Sequence, residues 1–354
     1  MAPALYRHHP THLRLGYVPM LDAAPLIVAE ELGYFRDRGL SVELIREPGW
    51  ATIREKIFHG ELHAAQAPAS MVLELSEGLS GIKTPCLTAF VTAHHGNAIS
   101  LSQRLWDQGV RDGGSLAEHI KAHPNETFRF AGVLRFSSQH YLMRHWLLSH
   151  GIKIEKNVEM VIVPPPLVHE SMKSGYLDGY CVAEPWSSLG ISKGTDWCVE
   201  LSSNFAPGHI EKVFLLTEKF HQKDAELHYQ LIHALKEAAE FCDLKDNRHE
   251  VCNILSKTDY LDVSPEILAN ALVGPFHLGH GRHEPADDVI LFHQDNLNRP
   301  TLEKSRWLVE QMSLHRLIDT PLDTQDLRRC FREDIYNEFL SSIQKTDHSK
   351  PNHN

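Results

Sequence analysis

The sequence predicts an α/β protein of two lobes, each a mostly parallel sheet flanked by helices, with two connecting hinge segments. Three observations carry this. Apolar, strand-like runs alternate with amphipathic helical stretches through the first hundred residues. A strand, a helix and a second strand follow one another between Val161 and Trp186. Two strands of another kind, Ala98 to Leu101 and Val213 to Leu216, bracket a self-contained α/β stretch. Lobe I is therefore expected over 1–98 plus 205–354, with a helical carboxyl-terminal region, and lobe II, inserted, over 99–204.

Taken in order, Leu13 to Val18 reads as the first strand and leads into a helix from Ala23 to Phe35 that ends near Gly39. Ser41 to Arg46 is the next strand, rising into Pro48-Gly49-Trp50. A helix from Ala51 to His59 follows, stopped at Gly60, and Ala64 to Ala67 is a strand of small residues. In the inserted lobe, Phe128 to Val133 is a strand and Gln139 to Ser149 a helix. The apolar run Val161 to Val163 is stopped by three prolines. A helix carrying Val168, Met172 and Leu177 comes next, closed by Gly175 and Gly179. Tyr180 to Ala183 then breaks off at Glu184-Pro185-Trp186, where a ligand would meet the carboxyl edge of a parallel sheet. An ordinary crossover in any α/β domain would give the same pattern. After residue 216 a long amphipathic stretch runs from Asp224 to Leu255, and Gln344 to Asn354 forms a polar tail.

The 354 residues suffice for two cores, and 42% hydrophobic with 23% charged residues describe a globular chain rather than a disordered one. A formal net charge of −11 excludes a broad nucleic-acid footprint. It also requires that a small anion be held by local positive groups. The six cysteines (86, 181, 198, 242, 252 and 330) form no C-x-x-C pair, which points away from zinc or a disulfide framework and toward a reducing compartment. His277, His280 and His283 cluster around two glycines without a carboxylate or cysteine at ligand spacing, as a polar loop would. Met1 to His12, with His8-His9, is short and polar, so a cytoplasmic location is expected.

Several segments together resemble one family: Leu-Asp-Ala-Ala-Pro-Leu (21–26), Gly-Trp-Ala-Thr-Ile-Arg-Glu-Lys (49–56), Gly-Asn-Ala-Ile-Ser-Leu-Ser (96–102), Ser-Ser-Gln-His (137–140), the Pro-Pro-Pro to Glu-Pro-Trp block and Ile-Glu-Lys-Val (210–213). In this order they resemble the nitrate-binding branch of the type II periplasmic binding proteins, from about Leu13 to Leu255. Members bind nitrate, nitrite or bicarbonate for importers. The resemblance implies an anion closed between two lobes, with ligand contacts at Trp50, Asn97, His140, Ala183 and Lys212, and no metal or cofactor. Transport members carry glutamine at position 97 and glycine at 183, so Asn97 and Ala183 are departures that reshape the pocket.

The chemistry of nitrate agrees with this set. Nitrate is planar and has three accepting oxygens and no proton to donate, so its pocket should offer donors and no uncompensated acceptor. Lys212 brings three donors and a charge, Trp50 one, Asn97 two, and His140 one or two. Bicarbonate carries a hydroxyl that needs an acceptor; in bicarbonate-binding relatives an acidic residue and a metal ion replace the lysine. Singly, each residue has an ordinary alternative: Trp50 as a core anchor, His140 as a helix cap, Ala183 as close packing, Lys212 as a solvated charge beside Glu211.

What the resemblance implies about function is a cytoplasmic nitrate/nitrite sensor. Its lobes would close on the anion and release an ANTAR-type response-regulator antiterminator that acts on RNA, the sensor itself touching neither RNA nor membrane. The alternative is the periplasmic nitrate/nitrite-binding component of an ABC importer. An enzyme of the thiamine-pyrimidine synthase type is the third reading; its cysteine-rich iron motif is not in the sequence, and the chain is expected not to be an enzyme.

Overall fold

The fold was described from a computed structural model covering residues 12–348 apart from 156, 295, 320 and 321. The polar start of the chain before His12, with His8-His9, lies outside the described residues. So does the end of the tail after His348; the preceding residues from Glu333 are helical.

Ten strands and the helices between them build the two lobes. They are β1 (His12–Tyr17), β2 (Ser41–Arg46), β3 (Ala64–Pro68), β4 (Cys86–His95), β5 (Asn97–Ser102), β6 (Phe128–Gly132), β7 (Val158–Ile162), β8 (Gly179–Ala183), β9 (Asp196–Leu201) and β10 (Ile210–Thr217). Three short ones follow: β11 (Phe276–Gly279), β12 (Arg282–Glu284) and β13 (Ile290–Leu291). One sheet has the order β13-β4-β10-β3-β1-β2, another β7-β6-β8-β5-β9, and β11 and β12 form a separate hairpin.

The two-lobed α/β architecture is as expected, but its sheets are mixed rather than mostly parallel. In the first sheet β1 runs parallel to β2 and β3, whereas β10 is antiparallel to both β3 and β4. In the second, β6 is parallel to β7 and β8, and β5 is antiparallel to β8 and β9. The antiparallel strands are those by which the chain enters the second sheet and returns to the first. The first crossing is the single residue Gly96, at φ 85°, where a Cβ would stand 3.1 Å from the Ile290 side chain. The return lies between Leu201 and Ile210.

Local sequence explains the elements that position the site. The helix Trp50–Phe58 starts after Gly49 and buries Trp50, Ile53 and Ile57 on one face, the spacing of a half-buried helix. Ser137 caps the helix Ser138–Ser149 by accepting the His140 N–H, so its first turn is fixed by a side chain. Strand β4 was not anticipated. All ten of its residues are buried, so it lacks the polar alternation that marks a strand with one wet face. The helix expected from Ala23 to Phe35 ends at Glu31, because Gly33 is left-handed at φ 79°. The stretch Asp224 to Leu255 is two helices, Ala225–Asp243 and Arg248–Leu255, separated by a turn at Lys245–Asn247. Among the described residues no helix is long and apolar enough to cross a membrane.

Candidate functional site

Strand β10 carries Glu211 and Lys212 in succession, and both side chains are completely buried. In a regular strand, neighbours point to opposite faces. Here the pairing of β10 with β4 shifts register between Ile210 and Lys212 and again between Lys212 and Val213. That irregularity lets both side chains join one cluster, with Lys212 Nζ donating to Glu211 Oε1 at 2.5 Å.

Lys212 is also paired with Asp22, which lies on the 3-10 turn Leu21–Ala23 after β1; Nζ stands 2.8 Å from Oδ2. This contact is one of charge rather than of an aligned hydrogen bond, since Oδ2 has no aligned donor. Gln66 Nε2, from β3, donates to Asp22 Oδ1 at 2.5 Å. Burial works against a charged Lys212, but Asp22 and Glu211 outweigh it and hold its pKa above the usual lysine value. Burial pushes the Asp22 carboxyl up to about 6, against the pull of Lys212.

Glu211 joins the two sheets. Its Oε1 accepts from Ser138 Oγ at 2.5 Å and Gln139 Nε2 at 2.8 Å, and its Oε2 from Asn97 Nδ2 at 2.6 Å. With Lys212 this makes four donors on one carboxylate. Three of them come from the second lobe. Two further bonds join the lobes nearby: Leu21 N–H donates to the Glu184 carbonyl at 2.7 Å, and Ser70 Oγ donates to the Phe136 carbonyl.

Of the residues expected to form the site, Trp50 and Lys212 meet directly. Lys212 Nζ lies 5.4 Å from the centre of the Trp50 ring, and the buried indole N–H has no hydrogen-bond partner among the described residues. Asn97 reaches the cluster, but one of its amide hydrogens is committed to Glu211, and its Oδ1 accepts from Gln139 at 3.0 Å. Ala183 is the cross-strand partner of Asn97 in the β5–β8 ladder and is fully buried. His140 sits one residue past Gln139 on the capped turn. Its Nδ1 is buried and unpartnered, and no hydrogen bond or ion pair links it to Lys212 among the described residues. Burial first, then Arg144, His315 and Arg135, lower its pKa to about 4, so its imidazole is neutral.

The sequence called for donors with no uncompensated acceptor; the structure adds two carboxylates, Asp22 and Glu211, both paired with the one ammonium. Asp22, Gln66, Ser138, Gln139 and Glu211 are the residues that sequence reasoning left without a role. Four of them, all but Gln66, lie inside the very segments that carry the resemblance, which was the signal available.

Elsewhere, His277 and His283 face each other across the β11–β12 hairpin with Nδ1 atoms 3.1 Å apart, and His280 stacks on Trp106 at 3.6 Å. No group of three metal-ligating side chains occurs among the described residues. All six cysteines are buried free thiols.

Known proteins show the same architecture. The crystal structure of the periplasmic nitrate-binding protein NrtA from Synechocystis PCC 6803 superposes with a TM-score of 0.90 at 23% identity, covering 97% of this chain and 92% of that one. The nitrate import ATP-binding protein NrtC of Synechocystis is 31% identical over 348 residues, 97% of this chain and 52% of that protein. The bicarbonate-binding protein CmpA of Synechococcus is 29% identical over 279 residues, 75% of this chain and 62% of that protein. The chain spans about half the length of NrtC and of the similar transport ATP-binding proteins it matches. These relatives carry the names of binding and transport proteins, in agreement with a chain that is not an enzyme. The model of the NMT1-like family matches residues 7–256, which takes in every residue of the cluster, and the chain belongs to that family.

Proposed function

We propose that the protein is a ligand-binding protein for nitrate or nitrite, of the kind that serves an ABC importer. The anion would be held between the lobes against Lys212 and Trp50. The observation that carries this is the buried Lys212 ammonium facing an indole whose N–H is unspent. Lys212 donates one hydrogen to Glu211 and makes a charge contact with Asp22. A remaining Lys212 hydrogen, with the Trp50 N–H and the second amide hydrogen of Asn97, would give a flat oxyanion three donors. Removed from water, charge-assisted bonds of this kind contribute on the order of 1.5–3 kcal/mol each. The names of relatives support an oxyanion ligand and include both nitrate and bicarbonate.

Bicarbonate is the competing ligand. Its hydroxyl needs an acceptor, and Asp22 lies beside Lys212, with the unpartnered Gln66 Oε1 on Asp22's own hydrogen-bond partner. Titration calorimetry with nitrate, nitrite, bicarbonate and an alkanesulfonate decides between them. Binding of nitrate or nitrite and not of bicarbonate is the expected result; binding of bicarbonate alone replaces the reading.

A second reading places the same site in a cytoplasmic sensor that releases an ANTAR-type antiterminator when the anion closes the lobes. Six buried thiols kept unpaired support a reducing compartment. Such a switch needs the ligand to favour the closed form; a hundredfold preference corresponds to roughly 2.7 kcal/mol. Capture of an antiterminator that is lost on adding nitrate but not chloride would favour the sensor. Nitrate-dependent docking to an importer's membrane subunits would favour transport.

A further inference from the structure

We infer that the site takes up one proton for each nitrate or nitrite it binds, and that Asp22 is the residue that carries it. This rests on the binding reading above and deepens it. With Asp22 and Glu211 ionised, the three-residue cluster around Lys212 already has one net negative charge in full burial. A monovalent anion placed against Lys212 would make it two. Buried charges are tolerated when compensated, and two surplus charges of one sign in a dry cluster are not. Removing one of them requires a proton.

The hydrogen-bond pattern selects where the proton goes. Glu211 holds four donors across its two oxygens, so a proton on either oxygen would displace a donor already in place. Asp22 has one aligned donor, Gln66 Nε2, and a charge contact with Lys212. Protonated, it has a buried and unpartnered acceptor on that same neighbour, Gln66 Oε1. Asp22 then keeps its Gln66 bond and releases Lys212 toward the ligand.

The groups facing Asp22 are few. Strand β10 presents Lys212 and Glu211, and β3 presents the neutral Gln66. Beyond Glu211 stand His209 and, on β4, His95, both held below the ordinary histidine value mainly by burial. The turn after β8 contributes Glu184, whose carbonyl takes the Leu21 N–H and whose carboxylate accepts from Ser188 N at 3.2 Å. Glu184 is also raised by burial, to about 7, and is the competing proton site. Asp22 itself, raised to about 6, is ionised in the free protein above that pH and is already protonated below it.

The test is calorimetric titration of the full chain with sodium nitrate in buffers of different ionisation enthalpy. Proton uptake near zero below about pH 6 and approaching one per nitrate above it is expected. The dissociation constant should rise up to about tenfold per pH unit over that upper range. Asp22→Asn should bind nitrate with neither uptake nor pH dependence, while Glu184→Gln keeps both. Nitrate binding with no proton uptake in the unmodified protein overturns the inference and leaves the binding reading intact. Coupling that survives in Asp22→Asn, or vanishes in Glu184→Gln, assigns the proton elsewhere and overturns it. Absence of nitrate and nitrite binding at every pH overturns both. If Asp22→Asn does not fold, uptake in the unmodified protein against that in Glu184→Gln still decides.

Discussion

Lys212 lies over the face of Trp50 with its ammonium 5.4 Å from the ring centre, although one residue stands near the start of the strand that returns from the second lobe and the other opens a helix near the chain's start. A cation, an aromatic face and an unspent indole N–H thereby share one buried spot. The same ammonium holds Asp22 and Glu211, so the group proposed to meet the ligand is also the group that makes two buried carboxylates tolerable.

Replacing Lys212 tests both roles. Lys212→Met should abolish nitrate binding and lower the unfolding free energy by about 3–5 kcal/mol, because two buried carboxylates lose their counterion. In an Asp22→Asn background the stability loss should shrink, as expected for directly coupled residues. Urea denaturation of the four proteins of that cycle gives the coupling. Additive losses would show that Asp22 and Lys212 do not interact.

Trp50→Phe keeps a ring beneath the ammonium and deletes only the indole N–H. A net hydrogen bond contributes about 0.5–1.5 kcal/mol, so nitrate should bind roughly 2- to 12-fold more weakly with little change in stability. An unchanged dissociation constant removes the indole from the list of ligand contacts.

Asn97→Ala takes one donor from Glu211 and the acceptor from Gln139 in a single step. Leaving buried polar groups short of partners costs about 1–3 kcal/mol, readable in the urea midpoint. Because Asn97 ties the second lobe to Glu211 of the first, nitrate affinity should fall as well. Lost stability with intact affinity would make its role purely structural.

Gly132→Ala is a probe of His140. A Cβ there would stand 2.9 Å from His140 Cα and 3.2 Å from its backbone nitrogen, in a helix turn that has no flexible group to yield. Overpacking of this kind costs about 1–3 kcal/mol. If His140 contacts the anion, affinity drops along with stability; a stable, weakly affected binder would exclude it.

Buried histidines and buried carboxyls should shape stability in opposite directions with pH, and on the alkaline side it should fall up to about pH 8. His94 and His228 are pushed down from 6.5 to about 3 by burial, so their contribution is complete above the ordinary histidine value and is lost as pH falls. Glu184 and Asp196 are raised by burial to about 7 and about 8. A raised carboxyl contributes fully only below the ordinary carboxyl value; the contribution shrinks as pH rises from there and is gone above those raised values. Denaturation curves from pH 4 to 9 measure the two limbs, and Asp196→Asn should flatten the alkaline one. A profile that climbs steadily to pH 9 would contradict the assignment.

Several residues of the buried cluster lie in segments that stood out before the fold was seen. The segments around Trp50, Asn97, His140, Ala183 and Lys212 were legible because they are short strings at element ends, where prolines, glycines and polar clusters stand out. Asp22 and Glu211 were visible in the same strings but carried no signal of their own. A lone acid beside an apolar run reads as a surface charge until its burial is known. The register shift in β10 that turns Glu211 and Lys212 into one cluster has no mark in the sequence, since it arises from pairing with β4.

By itself the sequence determined the alternation of strands and helices and the two-lobed α/β class. These follow from periodicity and local chemistry, which a chain carries wherever it folds. The tertiary structure decided that the sheets are mixed and that Asp22 and Glu211 share Lys212. It also decided that one carboxylate takes donors from both lobes. Such facts depend on which distant strands pair and how completely water is removed between them, and a buried charge acquires its meaning only from the neighbours that replace that water.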